Sequence, residues 1–177
     1  MPAPEKMVYV DCETTALDGQ VFELAWRVAG TQMAIQELIL PHTLEGADRI
    51  ALEINGYWRR GIYGRDACSE GDLMEFASDV AGACVIGANP RFDAIHLVKV
   101  LGFEPWHYRL LDVEAYAAAV FFEDCPIGMT GIHERLTAAG FEIPTPDHTA
   151  AGDVLALEAA HLALREMARR QARPVQQ

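Results

Sequence analysis

The stretch MVYVDCETT, residues 7–15, decides how the rest of the chain is read. Side chains alternate along a strand, so Met7, Tyr9, Asp11 and Glu13 share one face and Val8, Val10 and Cys12 the other. Both faces are apolar until Asp11, which predicts a central strand covered on both sides. A carboxylate at the end of such a strand is costly to bury without a partner. Glu13, one step further on the same face, adds a like charge that repels it unless a cation lies between them.

Outward from this strand, VFELAWRVA (21–29) and QMAIQELILP (32–41) read as two more strands broken by Gly30-Thr31, an antiparallel meander with the first. A loop with a short helix is expected over 42–66, and DLMEFASDVA (72–81) as a helix. CVIGA (84–88) is a short buried strand, after which Pro90 opens a helix running to about Leu101. RLLD (109–112) is a strand whose Asp112 caps a helix along EAYAAAVFF. MTGIHERLTAAG (129–140) is a helix closed by Gly140, and PTPDHTAAGD leads into a last helix ending near Arg170. A meander followed by alternating strands and helices predicts an α/β protein: a mixed five-stranded sheet, antiparallel strands plus parallel ones, flanked by helices. That order suits a ribonuclease H-like architecture. We read residues 1–177 as one domain with short frayed ends at 1–5 and 172–177.

Two of the helices repeat what the first strand does. Asp93 shares a stripe with Leu97, Val100 and Leu101, at offsets 0, 4, 7 and 8. Asp153 shares one with Leu157, Ala160 and Leu164, at offsets 0, 4, 7 and 11. Each acid opens an apolar face, so each points toward the sheet. Any one of the four could be a helix cap or a solvated end residue. Recurrence on three separate elements argues for a shared cation. Hard oxygen donors without accompanying cysteines favour Mg²⁺ or Mn²⁺ over zinc.

At this point the residues resemble the DEDDh 3′→5′ exonucleases, the family of ribonuclease T, oligoribonuclease and the polymerase proofreading subunit. Its first motif looks like Asp11-Cys12-Glu13-Thr14-Thr15, its second like Asn89-Pro90-Arg91-Phe92-Asp93, and its third like His148-Thr149-Ala150-Ala151-Gly152-Asp153. A tyrosine at 149 would mark the sister variant; the chain has Thr149. The resemblance implies that Asp11, Glu13, Asp93 and Asp153 bind two metal ions and that His148 is the general base. It implies that Thr14, Thr15 and Leu17 meet the terminal nucleotide, with Leu17 as a wedge, and that Phe92 stacks on a base and Asn89 braces the site. Phe92 also reads as a core aromatic and Asn89 as a turn residue. The implied reaction is hydrolysis of single-stranded DNA or RNA from its 3′ end to nucleoside 5′-monophosphates, and the implied protein partners are a second subunit or a polymerase. The alternative is a metal-dependent phosphohydrolase of dinucleotides or small phosphate esters.

Helical geometry adds one expectation about His148. Five residues at about 100° each put it off the Asp153 stripe, in the entrance to the helix, close to the site but not a ligand.

Composition bounds these readings. Net charge is −12 and the isoelectric point about 4.8, which excludes a protein that grips long nucleic acid by charge alone. It is compatible with an enzyme that handles a few terminal nucleotides through carboxylate-held cations. No apolar run reaches the roughly 18 residues of a membrane span. The N-terminus carries no secretory pattern, so a cytoplasmic protein is expected. Cys12, Cys68, Cys84 and Cys125 have no CxxC spacing and read as buried free thiols.

Several weaker features have two readings. Tyr57-Trp58-Arg59-Arg60 is either a single-strand contact or a half-buried segment with a solvated arginine pair. His96 reads as a core histidine. Arg165, Arg169, Arg170 and Arg173 complement the negative end of the last helix and offer a contact to nucleic acid or a second subunit. Phe121-Phe122 offers an apolar dimer contact.

Overall fold

β1 (Met7–Thr14) is the middle strand of a five-stranded sheet in the order β3-β2-β1-β4-β5. It pairs antiparallel with β2 (Val21–Val28), which pairs antiparallel with β3 (Gln36–Ile39). On its other side it pairs parallel with β4 (Cys84–Gly87), and β4 with β5 (Leu111–Asp112). This is the mixed, ribonuclease H-like sheet expected from the sequence. The computed structural model describes residues 4–172. The expected frayed ends fall largely outside that range, as does Arg173.

The alternation of β1 divides the core. Val8, Val10 and Cys12 join Leu24, Trp26, Phe76, Val85 and Leu97 on the face covered by α2 (Glu70–Val80) and α3 (Pro90–Leu101). Tyr9 and Ala25 join Val113, Ile132, Leu136, Val154 and Leu157 on the face covered by α4 (Val113–Phe121), α5 (Gly128–Ala138) and α6 (Ala150–Gln171). A third cluster, with Phe22, Leu52, Tyr57 and Ile62, lies under α1 (Arg49–Ile54) and a 3-10 turn at Ile62–Gly64.

Local chemistry sets the boundaries. Ser69 and Asp72 form a reciprocal capping box at α2. Pro90 sits in the first turn of α3, and Asp112 accepts the amides of Glu114 and Ala115 to start α4. The edge strands are shorter than the segments 32–41 and 109–112 expected from the sequence. Residues 32–35 have no partner on β2, and β5 keeps only Leu111 and Asp112 paired to β4. An apolar run bounded by turn residues reads as a strand, whereas a strand needs a neighbour's ladder.

All four cysteines are free thiols, but only Cys12 is buried; Cys68 and Cys84 are half-buried and Cys125 is exposed. The expectation of buried thiols is corrected there, because Cys125 lies in the turn between α4 and α5. Among the described residues no helix is long and apolar enough to cross a membrane.

Candidate metal centre

The sheet delivers Asp11 and Glu13 to the C-terminal end of β1, on the face covered by α6. A register shift between Glu13 and Thr14 ends the regular ladder just beyond them. α6 begins over the same place, so the carboxyl oxygens of Asp11, Glu13 and Asp153 lie within 4.8 Å of one another. Asp93 comes from the first turn of α3 and is almost wholly buried. Its Oδ1 accepts the Cys12 amide at 2.9 Å, which fixes it against β1 beside Asp11.

The electrostatics follow from this crowding. Burial, then the charges of Asp93, Glu13 and Asp153, push the Asp11 carboxyl well above its ordinary range. Burial and the nearby Asp153 and Glu23 push Glu13 up to about 8. Burial pushes Asp93 up to about 7 against the opposing Cys12 hydrogen bonds, and burial also raises Asp153. Four carboxyls raised by burial, two of them further raised by their acidic neighbours, form a site in want of positive charge. Oxygen-only donors at this spacing fit hard divalent ions such as Mg²⁺ or Mn²⁺.

A fifth acid stands beside them. Glu23 lies directly opposite Glu13 across the β1–β2 ladder and is wholly buried. Arg60 straddles both its carboxylate oxygens, donating from Nη1 to Oε2 at 2.9 Å and from Nη2 to Oε1. Glu23 Oε2 also accepts the amide of Ala150, the first residue of α6, at 3.3 Å. Arg60 donates further to the Asn55 carbonyl, and the buried Asn55 side chain donates to the Thr14 carbonyl at 3.4 Å. The loop after β3 is thereby tied to the ends of β1 and α6. Sequence reading missed Glu23, Arg60 and Asn55 as a group. The one available hint was a lone acid inside the otherwise apolar run VFELAWRV.

His148 sits in the turn entering α6 and is exposed, with a left-handed φ of 59°. Its amide and that of Asp147 donate to Asp153 Oδ1 at 3.2 and 2.9 Å. The acid thus organises the turn that carries the histidine. Thr149 caps α6 by accepting the Gly152 amide. A Cβ at Gly152 would stand 2.1 Å from Asp147 Oδ1 and 2.7 Å from Thr149 Oγ1, so any side chain there would force the Asp147 and Thr149 side chains to shift.

The remaining expected residues surround the acids at different depths. Thr15 is buried and committed to the β1–β2 turn: its amide donates to the Gln20 carbonyl, its hydroxyl oxygen accepts the Gln20 amide, and its carbonyl accepts from Asp48. Thr14 is buried as well. Leu17, at the tip of that turn, is 86% exposed, an isolated apolar side chain held out to solvent. Phe92 is half-buried against the His96 ring, with centroids 4.4 Å apart. Asn89 has a left-handed φ of 55°, a conformation asparagine tolerates, and its side chain makes no cap. His96 is buried, its Nδ1 bonded to the Phe92 carbonyl, as expected of a core histidine.

No protein-family model and no curated protein sequence matches the chain. Among solved structures, exonuclease X in complex with 5′ overhanging duplex DNA superposes with a TM-score of 0.55 at 15% identity, covering 97% of this chain and 96% of that one. At that identity the likeness is one of fold.

Proposed function

We propose that this protein is a divalent-metal-dependent 3′→5′ exonuclease that removes nucleoside 5′-monophosphates from single-stranded DNA or RNA. The observation that carries the reading is the convergence of Asp11, Glu13 and Asp153, from β1 and α6, within 4.8 Å, with Asp93 locked beside them. The likeness in fold to an exonuclease supports the same reading.

Asp11, Glu13, Asp93 and Asp153 would hold two Mg²⁺ or Mn²⁺ ions. Bound there, such ions supply a nucleophilic water at neutral pH and stabilise the departing 3′ oxygen. The remaining work belongs to the chain. His148, exposed at the mouth of the site, takes the proton from the attacking water on a ring nitrogen; an imidazole suits that task near neutral pH. Leu17 wedges against the terminal base, held in place by the tightly bonded Thr15 turn, and Thr14 shapes the floor beneath it. Phe92 offers a ring face at the rim of α3, and Asn89 fixes the entry of that helix.

The test is degradation of 5′-labelled single-stranded DNA and RNA with Mg²⁺, Mn²⁺ or chelator. A ladder shortening from the 3′ end only when metal is present is expected. Release of product from the 5′ end, or activity indifferent to chelation, would refute the proposal.

A further inference from the structure

The run Tyr57-Trp58-Arg59-Arg60 is split by the fold. Tyr57 is buried under α1, and Arg60 turns in to Glu23. Trp58 and Arg59 turn out: Trp58 is 53% exposed and Arg59 is exposed. Beside Trp58 stands Tyr63, 68% exposed, with ring centroids 5.7 Å apart. An open groove of about 480 Å³ runs between α1 and the turn after it, walled by Arg49, Leu52, Glu53, Gly56, Trp58 and Arg59. Gly56 makes room for the guanidinium laid across it, since a Cβ there would stand 3.0 Å from Arg59 Nη2.

The groove carries two cations beside its one acid, Glu53. Arg27, Arg60, Arg65, Arg135 and Arg170 are all engaged by carboxylates. Among the described residues Arg49 and Arg59, like Arg91, Arg109, Arg165 and Arg169, make no such pair within 4 Å, but Arg49 and Arg59 wall one groove. On a chain of net charge −12, two unneutralised guanidiniums meet at one groove beside an exposed indole. That combination fits a polyanion with flat apolar faces. The helix that walls the groove is tied at both ends to the chain just past the acids. Asp48, next to Arg49, donates its amide to the Thr15 carbonyl at 2.8 Å, and Asn55 reaches the Thr14 carbonyl, one residue past Glu13 at the end of β1.

We propose that this groove binds single-stranded nucleic acid on the 5′ side of the terminal nucleotide. One base stacks on Trp58, and the flanking phosphates meet Arg49 and Arg59. The proposal rests on the exonuclease reading and adds the track along which the strand is held. It divides the labour on an acidic protein: the carboxylate site takes the end, and this cationic and aromatic groove takes the strand behind it.

The experiment compares Trp58→Ala and the double variant Arg49→Gln/Arg59→Gln with wild type. Turnover of a dinucleotide and of a 20-mer is measured in Mg²⁺, and binding of a fluorescent 20-mer is followed by anisotropy with metal chelated, across a salt series. Trp58→Ala is expected to weaken 20-mer binding and raise its KM about tenfold. Dinucleotide turnover stays unchanged. The double variant should flatten the slope of log affinity against log salt by about 1.4, two phosphate contacts on a single strand. Unchanged 20-mer affinity and salt slope in both variants would overturn the proposal and leave the groove to a protein partner. Wild-type binding that depends on Trp58 without any cleavage would instead sink the exonuclease reading and keep the groove.

Discussion

Glu13 and Glu23 face each other across the β1–β2 ladder, yet Arg60 grips only Glu23. One acid is thereby a fixed, neutralised strut and the other is left with its charge directed at Asp11 and Asp153. The pair separates what holds the site together from what holds a cation.

Removing the strut's counter-charge should therefore be felt in the fold. Arg60→Met leaves the wholly buried Glu23 facing only the more distant Arg65, at 3.9 Å. Loss of one partner of a buried pair typically costs about 3 kcal/mol. Urea denaturation should show a loss of that order, and Glu23→Gln/Arg60→Met together should recover most of it. Additive losses in the double variant would show that the two residues act independently.

Substitution of the metal-facing acids should have the opposite sign on stability. Asp11→Asn and Asp153→Asn relieve repulsion among buried carboxyls, so the metal-free variants should melt higher than wild type. Turnover should fall about a thousandfold or more, equivalent to about 4 kcal/mol of transition-state stabilisation. Wild-type rates in either variant would remove that residue from the site.

His148 requires a control for its backbone. At φ 59° an alanine is strained, whereas glycine and asparagine accept the conformation. His148→Gly and His148→Asn should each lower kcat about a hundredfold while leaving Mn²⁺ affinity by calorimetry unchanged. A matching loss of Mn²⁺ affinity would make His148 a ligand.

Stability of the metal-free protein should depend on pH in an uncommon direction. Folding raises Asp11 well above the ordinary range, Glu13 to about 8 and Asp93 to about 7. The folded state therefore holds protons that the unfolded chain, with carboxyls near about 4, has released. The contribution is full below the unfolded values and is lost as pH rises through about 7 to 8. With chelator, Tm should fall between about pH 5.5 and 8.5, and added Mn²⁺ should restore it most at the higher pH. A Tm that rises over that window without metal would contradict the electrostatics described.

Gly152→Ala tests the turn that presents His148. The new methyl collides with Asp147 and the Thr149 cap, which should cost about 1 kcal/mol. It should also lower kcat more than KM, measured by steady-state kinetics. An unaltered kcat would mean the turn adapts without moving the histidine.

Much of this was legible in residues 7–15 and in two helical stripes. The burial of β1 on both faces located it at the centre of the sheet, and the inward acids Asp93 and Asp153 followed from helical periodicity. The Glu23–Arg60–Asn55 network was not legible, because its members lie on separate elements joined only by tertiary contact. The fate of Tyr57-Trp58-Arg59-Arg60 was hidden for a related reason. Composition cannot tell which residues of a tight turn face inward, and the turn sends Tyr57 and Arg60 in and the middle pair out. Strand lengths at the edges were overread, since apolar residues continue where no neighbour pairs with them.

Anomalous diffraction from crystals of the wild-type protein grown with Mn²⁺ tests the central claim most directly. Strong anomalous density enclosed by the carboxylates of Asp11, Glu13, Asp93 and Asp153, lost in crystals of Asp11→Asn/Asp153→Asn, is the expected result. Manganese bound only elsewhere, with those four side chains in place and nothing between them, would contradict it.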